Sequence, residues 1–378
     1  MKHQLYVMIL AVAILAEASS ASAGNGLFFL KRVGTFIDTM SVSGVDRRYI
    51  DAPEKPWQLI LRGNVNQSSV KMSTESRIND YYYSAQPKMK TEPSQYLGFW
   101  AGYRGYGLGY TVNVGGDKGS YLTFGASGGA YGVNVRIHSF KNNEPSIVLN
   151  DNYLPEEQAE LSGEVDLVDP IRVHTLIANA YYLFNGRRFS YAAAYDQSVL
   201  QKRSVGSLMV GLMYYYGRID YASNPNADLI NVMNGLGKVK LWQSSVGVGY
   251  AYNWVPTKRL LVNVMAMPLL TFVNKVKAYG YSTNVDELAH LPSFTGNEMS
   301  NDEWYDWWYD NLRIEPMGQE TFNSGLTVNF DSRLSITYTF GSFFVNAYGQ
   351  FNNFRYSHNN SHGRLNDWFV NTSIGVRL

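Results

Sequence analysis

The chain of 378 residues contains no cysteine, and charged residues make up only 17% of it. The absence of cysteine excludes disulfide frameworks, thiolate metal sites and thiol nucleophiles. The formal net charge of +1 lacks the basic excess that nucleic-acid-binding proteins normally carry, so we expect no nucleic-acid partner. Hydrophobic residues reach 45%, which excludes a disordered chain. In place of charge the sequence has 29 Tyr and 34 Gly, an unusual composition for a soluble enzyme.

The N-terminus has the pattern of a secretory signal. Lys2 and His3 precede an apolar run from Leu5 to Ala16, and Ala21-Ser22-Ala23 supplies the small residues of a cleavage site. The apolar run is too short to span the roughly 30 Å hydrocarbon layer of a membrane. We therefore predict a signal peptide over residues 1–23 that is cleaved before Gly24.

No later apolar run predicts a membrane-spanning helix. The best candidate, Leu260 to Val273, is interrupted by Asn263 and Pro268 and is also too short. An exported chain of this kind is either soluble or crosses a membrane as a closed β-barrel, because only helices and barrels satisfy their backbone groups in lipid.

Apolar and polar residues alternate along the mature chain with a period of two. From Trp57 onward, Leu59 and Leu61 share one face, and the same alternation runs from Trp368 to Leu378. This period indicates β-strands with unlike faces. The predicted strands lie near 57–66, 96–103, 106–114, 121–127, 131–140, 171–184, 204–221, 242–255, 260–272, 324–339, 343–356 and 368–378.

Connection lengths alternate between short and long. The short connections fall at 104–105, 128–129, 256–259 and 340–342, and the long ones at 67–95, 141–170 and 273–323, among others. An outer-membrane barrel has short inner turns, long outer loops and an even number of strands. We therefore predict an all-β fold: an antiparallel transmembrane β-barrel of about 12 strands (roughly 10–14), with long acidic outer loops.

The predicted barrel occupies residues 57–378 and follows a periplasmic N-terminal arm at 24–56. One inner connection, residues 185–203, is too long for a tight turn and contains a strand-like piece from Phe189 to Tyr195. A spanning strand there would invert the side of every later loop. We therefore interpret 185–203 as an inner, plug-like segment.

Four stretches carry a family resemblance. They are LFNGRRFSYAAAYDQSVLQKRSVGSLMVG (183–211), YRGYGLGYTVN (103–113), YIDAPEKPWQLILRGN (49–64) and GYAYNWVP (249–256). The chain resembles an uncharacterised outer-membrane β-barrel family of Bacteroides-type bacteria, domain of unknown function 4421. The resemblance implies a barrel in a Gram-negative outer membrane. It supplies no catalytic residues, and Leu378 replaces the terminal aromatic residue common in such barrels.

Acidic residues concentrate in two predicted outer loops. The stretches 141–170 and 286–320 hold 17 of the 31 acidic residues, whereas the inner segment 185–203 is basic. Such blocks are commonly solvated faces. The alternative is a Ca²⁺ site, because Ca²⁺ binds carboxylate oxygens. The candidate ligands are Glu156, Glu157, Glu160, Asp302, Asp306 and Asp310.

The second acidic loop also contains an aromatic cluster. Its candidate ligand-binding residues are Trp304, Tyr305, Trp307 and Trp308. These side chains suit stacking on sugars or lipopolysaccharide, but Trp and Tyr also favour membrane boundaries or a small loop core.

A rim enzyme is the catalytic alternative. His138 ends one predicted strand and His174 begins the next, and each shares a face with an arginine, Arg136 or Arg172, which indicates the lumen side. With Asp169 nearby, the histidines fit a general base and its orienting carboxylate, as in a protease or lipid hydrolase. Polar lumen residues are, however, the rule in barrels.

Three functions therefore remain open. We favour a pore, transport or structural barrel of the outer membrane that needs no cofactor. Its expected partners are membrane lipid, lipopolysaccharide and the barrel-assembly machinery. The alternatives are the rim hydrolase that uses His138 and His174, and a secreted glycan-binding β-protein.

Overall fold

Antiparallel pairing between consecutive strands closes the chain into a barrel in the computed structural model. The structure describes residues 44–78, 81–85, 88–90, 93–116, 118–143, 146–154, 157–164, 167–233, 235–285, 307, 310–358 and 361–378. Among the helices of these residues, none combines the length and apolar character needed to cross a membrane.

The strands vary from two-residue pairs to long segments. In chain order they are β1 (Ile50–Asp51), β2 (Trp57–Ile78), β3 (Tyr81–Ala85), β4 (Lys88–Lys90), β5 (Ser94–Tyr103), β6 (Tyr106–Gly115), β7 (Lys118–Ser127), β8 (Tyr131–Asn142), β9 (Ser146–Leu154), β10 (Glu157–Glu164), β11 (Ile171–Leu183), β12 (Leu200–Gln201), β13 (Val205–Asp220), β14 (Leu236–Thr257), β15 (Leu260–Val285), β16 (Leu312–Asn323), β17 (Thr327–Phe340), β18 (Phe343–His358) and β19 (Ser361–Arg377). The helices are α1 (Tyr191–Tyr195), a 3₁₀ turn (Asn224–Asn226) and α2 (Ala227–Val232).

Twelve strands form the wall in the described part of the chain, as predicted. Their order around the barrel is β2-β5-β6-β7-β8-β11-β13-β14-β15-β17-β18-β19, and β19 pairs with β2 to close it. Each of the twelve predicted strands corresponds to one wall strand. Most of the remaining strands lie in the long connections. The exceptions are β1 and β12, which pair with each other at the opposite end of the barrel.

The two faces of the wall differ in polarity. Residues facing outward are largely apolar and exposed, whereas the lumen face of β17 carries Asn329, Asp331, Arg333 and Ser335, all buried. Exposed outward side chains include Leu59, Leu61, Leu97, Phe99, Leu108, Leu122, Leu208, Leu212, Val248, Val264, Leu270, Leu334, Ile336, Val345 and Ile374. The exposed apolar belt is much larger than the patches on ordinary soluble monomers.

Short turns mark one end of the barrel. Arg104 and Gly105 have φ of 53° and 89°, and Gly341 has φ of 64°. Such left-handed geometry is cheapest for glycine and suits a two-residue hairpin. At this end Trp57, Trp254 and Phe343 are exposed on the outside, as in the aromatic girdle of a membrane interface.

At the opposite end, the strands continue beyond their predicted limits. β15 ends at Val285, because after pairing with β17 it continues and pairs with β16. β14 begins at Leu236, where it pairs with this extended part of β15. The acidic stretch that ends at Glu320 is thus partly a hairpin arm, and most of the long loop lies outside the described residues.

The segment 185–203 folds against the inside of the barrel at the short-turn end. Its strand-like piece was predicted wrongly: Tyr191–Tyr195 is a helix, because Ala192, Ala193 and Ala194 favour helix and the Ser190 side chain accepts a hydrogen bond from the Ala193 N–H at 3.0 Å. Phe189 and Tyr191 of this segment pack against Met209, Met213, Met265 and Met267 of the wall in one apolar cluster.

Candidate functional site

The most distinctive feature of the lumen is an apolar chamber in its long-loop half. The chamber has a volume of about 290 Å³. Its apolar lining includes Val173, Ile177, Ile219, Leu241, Val276 and Phe354, from five wall strands. Barrel lumens are normally polar, so this concentration of apolar side chains calls for a specific explanation.

A small helical cap covers part of the chamber. Leu229 and Ile230 of α2 are buried with Ile171 and Tyr221 in an apolar cluster at the barrel mouth. Met233 belongs to this cluster and also lines the chamber. Asn226 fixes the cap, because its side-chain amide donates to the carbonyls of Asp169 and Tyr221 at 2.9 and 3.1 Å.

An ion pair crosses the lumen below the chamber. Arg136 on β8 donates to Asp367 on β19 at 2.6 Å, and these strands lie five positions apart around the wall. The guanidinium also lies 4.2 Å from the centre of the Phe369 ring. Asp367 lines the chamber, whereas Arg136 lines a smaller cavity of about 70 Å³ with mixed polar and aromatic walls. The pair therefore separates the two spaces.

A second buried ion pair lies in the lumen nearer the short-turn end, beside the inner segment. Arg333 contacts Asp331 at 3.3 Å, with side-chain exposures of 1% and 0%. Tyr181 donates to Asp331 at 2.7 Å, Gln350 donates to it at 3.2 Å, and Arg333 donates to the Tyr191 hydroxyl at 2.8 Å. Because Tyr191 belongs to α1, this network connects three wall strands to the inner segment.

The inner segment is fixed through its backbone carbonyls. Ser335 donates to the Ala194 carbonyl at 2.6 Å, Gln58 to that of Asp196 at 3.1 Å and Arg377 to that of Gln197 at 2.9 Å. These three donors come from β17, β2 and β19. A short helix end has orphan carbonyls, and here lumen side chains satisfy them. We call residues 189–201 the plug.

Asp196 carries the only carboxyl group of the plug. Burial raises its pKa to about 6, against the opposing influence of a hydrogen bond from Ser127 and the charges of Arg62 and Arg333. The docked plug therefore holds this proton more tightly than the undocked plug, whose carboxyl has the ordinary value of 3.8. The protonated Asp196 carboxyl therefore stabilises the docked plug fully below pH 3.8, and this stabilisation is lost as the pH rises through 6.

We predict that wild-type protein loses on the order of 3 kcal/mol of stability between pH 4 and pH 7 through Asp196. Asp196→Asn should remove this part of the pH dependence, because the amide does not ionise. The measurement is the urea midpoint of refolded protein in detergent at several pH values. Equal slopes for wild type and variant over this range would contradict the assignment.

His138 lies in the lumen and is enclosed by aromatic rings. Its ring stacks on Tyr121 at 3.7 Å and on Phe140 at 4.5 Å, and its Nε2 lies 3.0 Å from the Tyr96 hydroxyl. The side chain is only 4% exposed. This arrangement explains the histidine as a packed, hydrogen-bonded member of the wall interior.

The prediction that His174 shares the lumen face is wrong. β8 and β11 pair with His174 opposite Ser139 and Thr175 opposite His138, so the two imidazoles occupy opposite faces. His174 is exposed outside and lies 2.9 Å from the Ser139 hydroxyl. Asp169 is half-buried beside the α2 cap, where its carbonyl accepts from Asn226. The described residues therefore assemble no His–His–Asp site.

Most candidate loop ligands lie outside the described residues. This holds for Trp304, Tyr305, Trp308, Glu156, Asp302 and Asp306, and only the backbone of Glu157 and Glu160 is described. Trp307 is half-buried, and its carbonyl accepts from Asn311 at 2.7 Å, while Asp310 is exposed. In the described part of the chain, no group of three or more His, Asp and Glu side chains is arranged to hold a metal ion.

Sequence reasoning missed the chamber. A signal was present, because Leu176 and Ile177 on β11 are adjacent and both apolar, so the upper wall there is apolar on both faces. Strict alternation would place a polar residue at one of them. Reading such runs as apolar lumen surface would have located the chamber.

Comparison with known proteins places the chain in a family. The family model described as Domain of unknown function (DUF4421) matches residues 44–377. The chain belongs to this family. No curated protein matches it.

Solved structures with similar folds are β-barrels. Outer membrane protease OmpT of Escherichia coli shares 7% identity at a TM-score of 0.43, covering 85% of this chain and 97% of its own. Outer membrane protein OprG of Pseudomonas aeruginosa shares 10% sequence identity at a TM-score of 0.27, and the match covers 86% of this chain and 98% of OprG. The toluene transporter TodX of Pseudomonas putida shares 9% sequence identity at a TM-score of 0.26, and the match covers 86% of this chain and 91% of TodX.

Proposed function

We propose that the protein is a non-catalytic outer-membrane barrel that admits a small apolar molecule to its chamber from the long-loop side. The observation that carries this function is the apolar chamber above a lumen that holds two buried ion pairs and is filled by the plug. An apolar cavity disfavours water and favours apolar ligands. Its volume suits a small molecule rather than a polymer.

The membrane location is supported by the outer surface. Outward side chains such as Leu212, Val248 and Leu334 are 51%, 62% and 48% exposed, and water would disfavour so large an apolar belt. Closure of the wall removes the unpaired strand edges that lipid cannot satisfy. In such a membrane we expect the long acidic loops to face outward and the short turns to face the periplasm.

The plug supports binding or gated transport over free diffusion. Its carbonyls are held by three wall strands, and its aromatic side chains complete the apolar cluster of the lumen. Passage of solutes through the barrel requires the plug to move. The rim-hydrolase alternative loses its basis, since His138 and His174 face opposite sides of the wall.

We predict that Ala278→Trp, which fills the chamber, weakens binding of N-phenyl-1-naphthylamine at least about tenfold, because lost apolar contacts exceed 1.4 kcal/mol. Fluorescence titration of amphipol-trapped protein gives the affinity. The matched control is Ala266→Trp, which lies exposed on the outer face of the same strand and should bind normally. Absence of saturable binding to wild type, or equal loss in both variants, would refute the chamber's role.

A further inference from the structure

A row of cations crosses the outer face of six neighbouring wall strands near the long-loop end. The strands β7, β8, β11, β13, β14 and β15 contribute one residue each. We call this set the basic row: Lys118, Lys141, Arg172, Arg218, Lys240 and Lys277.

Strand register places the members of the row side by side. Lys141 is the direct partner of both Lys118 and Arg172. Lys240 is likewise the direct partner of both Arg218 and Lys277. The two halves join where Arg172 pairs with Asp220, two residues from Arg218 on the same face. Neighbouring wall strands are about 4.8 Å apart, so the row extends roughly 24 Å around the barrel.

These contacts are unfavourable without an anion. Like charges directly opposite each other destabilise a sheet, and the register creates four such pairs. Among the described residues, Asp220 is the single carboxylate within the row, and it already contacts Arg218 at 2.6 Å and Lys238 at 3.2 Å. Lys238, Lys240 and Lys277 further converge on the Tyr279 ring, with each Nζ 5.2 to 5.4 Å from its centre.

Aromatic residues lie directly below the row on two of its six strands. On β13 and β14 the next outward residues below it are Tyr216 and Trp242, whose ring centres lie 5.7 Å apart. Two residues along a strand cover roughly 7 Å. Aromatic residues of this kind mark the boundary between headgroups and acyl chains. Arg218 and Lys240 therefore lie at the height of lipid headgroups.

We infer that the basic row binds the phosphate groups of a phosphorylated glycolipid in the outer leaflet. A lipid fits this site better than free phosphate, because the row lies on the outer surface of the wall rather than enclosing a pocket. Charge-assisted bonds from Lys and Arg to phosphate are strong. This inference rests on the proposed membrane location and is independent of the chamber.

The test is binding of phosphorylated lipid A, and of the same lipid after dephosphorylation, to full-length protein folded in detergent. One variant carries Lys118→Gln, Lys141→Gln and Arg172→Gln, and a second carries Arg218→Gln, Lys240→Gln and Lys277→Gln. The matched control removes three exposed cations at the short-turn end: Arg187→Gln, Lys258→Gln and Arg259→Gln. Heat-modifiable migration on gels verifies that each variant is folded.

Each row variant should raise the Kd for phosphorylated lipid A at least about tenfold, whereas the control should leave it unchanged. Wild type should bind the dephosphorylated lipid as weakly as the row variants bind the phosphorylated form. Binding that ignores phosphate, or that the control weakens equally, would overturn this inference alone. Failure of the wild type to insert into lipid vesicles would overturn the membrane location and this inference together.

Discussion

Replacing Arg333 with methionine is expected to lower the free energy of unfolding of the barrel by about 3 to 5 kcal/mol. The substitution leaves the Asp331 carboxylate fully buried without its cation. Tyr181 and Gln350 still donate to Asp331, but neutral donors do not compensate a buried charge. The Tyr191 hydroxyl also loses its donor, which loosens the plug. Urea unfolding of refolded protein, followed by tryptophan fluorescence, measures the change.

A double variant separates the charge from the packing. In Asp331→Asn with Arg333→Met the buried charge is gone. The Asn oxygen can accept from Gln350, and its N–H can donate to the Tyr181 hydroxyl, because the two groups contact different carboxylate oxygens of Asp331. Most of the lost stability should return. If the double variant is as unstable as Arg333→Met, then packing or the Tyr191 contact, rather than the buried charge, accounts for the loss.

The wall was predictable from sequence because each strand has one apolar and one polar face. Trp57, Leu59 and Leu61 are all exposed on the outside, whereas Gln58 between them is buried in the lumen. Alternating connection lengths then fixed the strand count and the end to which each connection belongs. The same pattern did not show where strands stop, because β15 continues to Val285 as a paired hairpin arm beyond the barrel.

The faces of individual residues were harder to predict where alternation weakens. On β11 both Leu176 and Ile177 are apolar, and the strand also carries Arg172 and His174 near its start. A shift of one residue exchanges the two faces of a strand. The charged residues suggested the lumen, but the structure places them outside, where they lie above the apolar belt and Arg172 belongs to the basic row. Charge alone therefore did not identify the lumen face.

The ion pair below the chamber joins strands that are distant in sequence, and the basic row depends on the register between neighbouring strands. Arg136 and Asp367 are 231 residues apart, and each alone is an ordinary lumen residue. The basic row contains one cation on each of six strands, so its members do not form one basic segment in the sequence. Register is set by the closed wall as a whole, and sequence patterns of single strands do not contain it.

Removal of the plug tests the central claim, a membrane-spanning barrel that its own inner segment closes. The variant replaces residues 189–201 with a short Gly-Ser linker. The linker has only a short distance to span between Arg188 and Lys202. The Gln201 side-chain amide donates to the carbonyls of both Arg188 and Arg203, at 2.8 and 3.1 Å, so the two ends lie close together. Insertion of the same linker into the turn at Lys258 and Arg259 is the control, since that turn does not fill the lumen.

Ion conductance across planar bilayers is the direct measurement. Wild type and the linker control should insert without steady conductance, and the variant without the plug should conduct in discrete steps. Recovery of folded protein from the bilayer-forming vesicles shows that silent samples have inserted. Steady conductance of the wild type, or silence of an inserted variant that lacks the plug, would contradict the account.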